Sequence, residues 1–165
     1  MKTYNVIFPI WFLLFFPPVI LITLFGNYVI DSIVLIACFY LFKISNSQIN
    51  LKTFYKKSIL KVWLYGFLAD ILGALILFLC TMLEEKIGLS YEITSAISYD
   101  PFSHPLAVVI ILISMVVASY FIFLFNYKIT LVPVIAEARL RFKVALTIAI
   151  VTTPWTFLLP TKWFY

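Results

Sequence analysis

Long apolar runs, separated by short polar stretches, set the pattern of this chain. They fall at about residues 6–25, 28–42, 62–83, 105–127 and 144–159. A helix rises 1.5 Å per residue and a bilayer core is about 30 Å thick, so about 20 apolar residues make one crossing. The pattern predicts an all-α integral membrane protein. Residues 1–165 form a single transmembrane helical domain, a bundle of five transmembrane helices.

The joints between the runs refine this picture. In the first run Pro9 and the pair Pro17-Pro18 remove backbone donors, so the helix is expected to kink or break near Pro17. That leaves an alternative architecture, four spans plus a Pro-broken re-entrant first segment, with the freed carbonyls taken up by neighbouring helices or water. Gly26-Asn27 reads as a tight turn joining the first two runs in a hairpin. The second run is short, about 22 Å as a helix, and calls for a thinner bilayer or close packing.

Between residues 43 and 61 the chain is basic, with Lys43, Lys52, Lys56, Lys57 and Lys61 and no acid. Leu51, Phe54, Tyr55, Ser58, Ile59 and Val62 recur there at helical spacing. The reading is an amphipathic interfacial helix over about 51–61. Its stripe lies in lipid, and Lys52, Lys56, Lys57 and Lys61 sit at the lipid surface.

Composition excludes the other classes. Hydrophobic residues make up 64% of the chain and charged residues 12%, with a mean hydropathy of +1.10. A soluble domain carries about 25% charged residues and has too little interior to hide this much apolar side chain. A soluble enzyme, a disordered chain and a secreted disulfide scaffold are ruled out. The net charge of +5 reflects basic loops facing membrane lipid rather than a nucleic-acid partner. The N-terminus, the 43–61 loop and the 128–143 loop hold ten basic residues, against Lys86 and Lys162 on the other side. The positive-inside rule then predicts a multi-pass protein of the cytoplasmic membrane, N-terminus inside and C-terminus outside. A cleaved signal peptide is not expected, because the first run is too long and ends in Gly26-Asn27-Tyr28 rather than an A-x-A-like site.

Asp70 leads the candidate residues. It lies eight residues into the 62–83 run, about 12 Å from the cytoplasmic edge, and a carboxylate at that depth usually faces a bundle interior, a cavity or a partner. Gly66, Ala69, Gly73 and Ala74 share its face and allow close helix approach, as do Ser114 and Ala118 on the fourth run. Asp70 is read either as a proton or cation site or as a protonated carboxyl bonded to a neighbour. Asp31 is placed about 4.5 Å below the outer edge, where it suits a helix N-terminus or serves as a second ion-site candidate. A catalytic Asp31–Asp70 pair is set aside, because the estimated depths differ and the G-x-G-D context of intramembrane aspartyl proteases is absent.

Asp100 and His104 would make a two-ligand metal site, weaker than the reading in which Asp100 or Ser103 caps the fourth helix ahead of Pro105. Cys38 and Cys80 read as apolar fillers at different depths. No metal, cofactor or catalytic residue is assigned, and the protein is expected not to be an enzyme. The function expected first is that of a non-enzymatic helix-packing component: a homo-oligomer, an accessory subunit or an immunity-type membrane protein, with a membrane-protein partner or a second copy of itself. The alternative is a small channel or a proton- or cation-coupled transporter with Asp70 in the pathway.

Overall fold

The computed structural model describes residues 8–13, 15–17, 19–44 and 49–164. Among these, every regular element is helical. Helix α1 spans Ile10–Leu13, α2 Val19–Leu41, α3 Leu51–Met82, α4 Glu84–Ile87, α5 Tyr91–Ser98, α6 Pro105–Phe125 and α7 Ala138–Val151. A π-helical turn, Asn126–Thr130, extends α6, and 3-10 turns cover Pro101–Ser103, Trp155–Leu158 and Thr161–Trp163. Three helices, α2, α3 and α6, are long and apolar enough to cross a membrane. Lys2, Pro18 and the first residues of the 6–25 run lie outside the described residues.

The runs 6–25 and 28–42 are not a hairpin. Residues 19–41 form one unbroken helix through Gly26-Asn27. A glycine inside a helix costs about 1 kcal/mol relative to alanine. Opening the backbone inside an apolar bundle costs several kcal/mol for each unpaired group, so the helix continues. The interruption falls instead at the prolines, with α1 ending at Leu13 and α2 starting at Val19.

The interfacial helix and the third run are likewise one element. Asn50 caps α3 by accepting from the Thr53 amide at 2.9 Å, and no Gly or Pro intervenes before Gly66. Its 32 residues reach about 48 Å, well past a bilayer core. The stripe expected in lipid is instead protein core: Phe54, Ser58, Ile59 and Val62 are buried, and the Phe54 ring lies 5.6 Å from that of Phe39. Lys52, Lys56, Lys57 and Lys61 are exposed on the other side.

The run 144–159 is also not one continuous helix. Helix α7 stops at Val151, because Pro154 lacks an amide and disfavours helical geometry in the residue before it. Its 14 residues rise about 21 Å, less than a crossing. At the start of α6 the cap is His104 itself, whose Nδ1 accepts from the Leu106 amide at 3.2 Å. The Ser103 hydroxyl donates to the Asp100 carbonyl, and Asp100 pairs with Lys162.

Two apolar cores result. One, toward the basic end, gathers Leu35, Cys38, Phe54, Val62, Leu131, Val144 and Ile148. The other, toward the acidic end, gathers Trp11, Leu77, Ile97, Ile111, Met115 and Phe157. Both described ends of the chain meet at this acidic end: the Ile10 amide donates to Thr161 Oγ1 at 2.9 Å and the Trp11 indole to the Ile97 carbonyl at 3.1 Å.

Helices α3 and α6 touch most closely at Gly73. A Cβ placed there would lie 3.0 Å from Ala118 Cβ, 3.1 Å from the Phe157 ring and 3.2 Å from the Ser114 carbonyl. The Ser114 hydroxyl donates to the Gly73 carbonyl at 2.6 Å. Helix α2 is tied to α3 by the Trp63 indole, which donates to the Leu24 carbonyl at 2.9 Å, and by the Ser32–Tyr55 hydroxyl pair at 2.8 Å.

Two glycine substitutions test this description. Gly73→Ala overpacks the α3–α6 contact and is expected to cost about 1–3 kcal/mol. Nothing lies within 4 Å of a Cβ at Gly26, so Gly26→Ala is expected to stabilise α2 by about 0.5–1 kcal/mol. Thermal unfolding of the purified protein in a nonionic detergent reads both. Destabilisation by Gly26→Ala would restore the hairpin turn.

Candidate functional site

A cavity of about 160 Å³ lies where α2, α3 and the end of α7 converge. Each element brings polar groups to it for a local reason. On α2, Thr23, Asn27 and Asp31 recur every four residues and so share one face. On α3, Gly66 and Asp70 are likewise one turn apart. The third wall is the chain from Val151 to Phe157, which turns away from the helix ahead of Pro154.

The two aspartates that were assigned different depths therefore meet in one cavity. Continuity of α2 is the cause: Asp31 is the thirteenth of its 23 residues, about 18 Å from the start of the helix, and not near an edge. Asp31 is 5% exposed. Its Oδ2 lies 3.9 Å from where a Gly66 Cβ would stand, so Gly66 leaves the space that the Asp31 carboxylate faces. Asp70 Oδ2 accepts from Asn27 Nδ2 at 3.5 Å, at the outer limit of a hydrogen bond. Its Oδ1 is buried with no partner among the described residues.

No salt bridge among the described residues engages these carboxyls. Among the described residues the salt bridge is Lys162–Asp100, at the acidic end of the bundle. The third wall adds negative potential. A helix C-terminus carries about half a negative charge on its unpaired carbonyls, and Val151, Thr152 and Thr153 bring that end of α7 to the cavity. Thr152 and Thr153 turn their hydroxyl protons back onto the carbonyls of Ile148 and Ala149, at 2.9 and 2.7 Å. The Thr153 oxygen also shares a hydrogen bond with Ser119 Oγ at 2.8 Å, and the Thr152 oxygen remains able to accept. Two carboxyls, a helix C-terminus and hydroxyl oxygens are groups that stabilise a positive charge.

The other expected site residues are distributed. Gly73, Ser114 and Ala118 form the α3–α6 contact, and Ala69 and Ala74 are buried in the two cores. Gly66 faces Asp31 of α2. Lys52, Lys56, Lys57 and Lys61 are exposed at the basic end, far along α3 from the cavity. The residues that sequence reasoning missed are Thr23, Asn27, Thr152 and Thr153. The Thr23-Asn27-Asp31 row was a readable signal, hidden by assigning Asn27 to a turn.

Because neither carboxyl is held by a strong partner, Asp31→Asn and Asp70→Asn are each expected to change stability by less than about 1 kcal/mol. Interhelical bonds in bilayers average about 0.6 kcal/mol. Thermal unfolding checks this. A loss of about 3–5 kcal/mol, as on breaking a satisfied buried pair, would make the carboxyls structural.

No protein-family model, curated protein or solved structure matches the chain, so what the cavity does has to be read from its geometry.

Proposed function

We propose that this is a small multi-pass membrane protein that binds and passes a proton or small cation at the Asp31–Asp70 cavity. The observation that carries the reading is the meeting of two carboxyls, with no salt-bridge partner among the described residues, at the end of α7. Broken helices whose C-terminal ends face a midplane site are a recurrent way of holding coupling ions in transporters. The cavity lies between two apolar cores that contain fully buried Leu35 and Ile148 on one side and Leu77 and Ile97 on the other. That arrangement supports a carrier in which the site is exposed alternately, more than an open channel. The helix-packing reading draws less support, because Gly73, Ser114 and Ala118 are used within the chain.

The same reading gives four crossings: α2, α3, α6, and α7 continued by residues 152–164. Nine of the described basic residues fall in 43–61 and 128–143 and two at the other end, where Glu84, Glu85, Glu92 and Asp100 also lie. The positive-inside rule puts the basic end in the cytoplasm of a cell membrane. Ile10 and Trp11, being tied to Thr161 and Ile97, then lie outside with the C-terminal turns. The N-in arrangement required the hairpin that α2 lacks.

Two measurements test the proposal. Protein reconstituted in liposomes is expected to dissipate an imposed proton or sodium gradient, and Asp70→Asn and Asp31→Asn to lower the rate at least about tenfold, a barrier change of about 1.4 kcal/mol. Wild-type rates equal to empty liposomes, or full rates in both variants, would overturn it. For topology, single cysteines in a background lacking the free thiols Cys38 and Cys80 are expected to label from outside at Phe8 and Tyr91 and from inside at Lys57. Labelling of Phe8→Cys only from the cytoplasm would reject the four-crossing arrangement.

A further inference from the structure

A second, apolar hollow of about 360 Å³ adjoins the aspartate cavity. Its walls are Phe12, Ile20, Ile71, Leu75 and Phe78, joined by Phe15 and Phe67, and these last two residues also line the aspartate cavity. The Phe15 and Phe67 rings stand 5.6 Å apart, tilted at 51°, and so form the wall common to both spaces. Ile71 is 40% and Leu75 47% exposed on the outer surface of the bundle, so the hollow opens where lipid chains would lie.

The two spaces differ in chemistry. One is apolar and open to the hydrocarbon. The other is polar and holds Asp31, 5% exposed, and Asp70 Oδ1, which has no partner among the described residues. A single molecule that satisfies both has an apolar tail and a positive head. Aromatic faces such as Phe15 and Phe67 suit an ammonium group moving between the spaces. A phospholipid does not fit: its phosphate would meet two carboxyls and the negative end of α7, at a depth far from the headgroup layer.

We propose that the cavity takes the cationic head of a lipophilic organic cation, an alkyl amine or quaternary ammonium, that enters sideways from the bilayer with its tail in the adjoining hollow. This rests on reading the Asp31–Asp70 cavity as a site for positive charge, and it adds the substrate class. The proton or small cation of that reading is then the species exchanged for it at the same carboxyls.

The test is binding of radiolabelled dodecyltrimethylammonium to the purified full chain in a nonionic detergent. Competition by dodecanol, which has the tail alone, and by tetramethylammonium, which has the head alone, separates the two contributions. Saturable binding is expected, at least about tenfold tighter than either competitor. Asp70→Asn is expected to lower affinity at least about tenfold, and Asp70→Glu to recover part of it. Ile71→Trp, which narrows the hollow, is expected to weaken binding, whereas Val116→Trp, on the exposed face of α6, is not. Equal competition by dodecanol overturns the inference, because the hollow then holds any chain. Equal competition by tetramethylammonium also overturns it, because the tail then contributes nothing. Liposome flux keeps the two proposals apart. If gradient dissipation depends on Asp70 and the wild-type protein does not bind the probe, the substrate class fails and the ion site stands. If the probe binds through Asp70 and no flux occurs, ion passage fails and the lipophilic-cation site stands.

Discussion

The contact at Gly73 is the constraint on which the rest of the bundle depends. Three elements meet at one missing side chain: α3 itself, α6 through Ala118 and Ser114, and the segment after α7 through Phe157. Between helices in a bilayer there is no hydrophobic drive to associate, so close backbone approach and interhelical bonds must hold them. The Ser114–Gly73 bond supplies one such link. Phe157 belongs both to this contact and to the wall of the aspartate cavity. The packing that joins α3 to α6 thus also fixes one side of the site.

Above and below the cavity the interior is apolar and well filled. The polar layer between is an exception that the rest of the bundle tolerates. Asp31, Asn27 and Asp70 are weakly bonded at best, although a buried polar group without a partner costs about 1–3 kcal/mol. A bundle selected for stability alone would place apolar residues there, as it does at Leu35 and Leu77, both 0% exposed. Polar residues kept inside a membrane helix at such a cost usually mark a ligand or ion path. That is the physical ground for preferring an ion-binding function to a packing one.

Much of this was legible in the sequence. The class, the prolines that interrupt the first run, the interior position of Asp70 and the small-residue face around Gly73 all follow from residue type and spacing. The span count did not, because Gly26-Asn27 is a turn in water and a tolerated helix interior in an apolar bundle, where the backbone has no alternative partner. Leu51–Val62 misled for a related reason: periodicity shows that a stripe is apolar, not whether lipid or protein covers it. The meeting of Asp31 with Asp70 depended on both points. Once the hairpin is removed, the depth of Asp31 shifts by half a helix and the two carboxyls come level. The part played by Thr152 and Thr153 lies beyond periodicity altogether, since it arises from where α7 stops.

The early stop of α7 is what makes the cavity electrostatically incomplete. Had the helix continued past Val151, its next turn would have filled the space and its carbonyls would have been bonded within the helix. Pro154 prevents both, leaving the negative end of the dipole beside two carboxyls. Two carboxyls and the end of α7 line one cavity, and no lysine or arginine among the described residues forms a salt bridge with either carboxyl. Positive charge entering the cavity would be stabilised by all of these groups. The Phe15–Phe67 pair stands between the cavity and the apolar hollow beside it. On the proposed reading, an amphiphile would reach the carboxyls from that hollow, past these two rings.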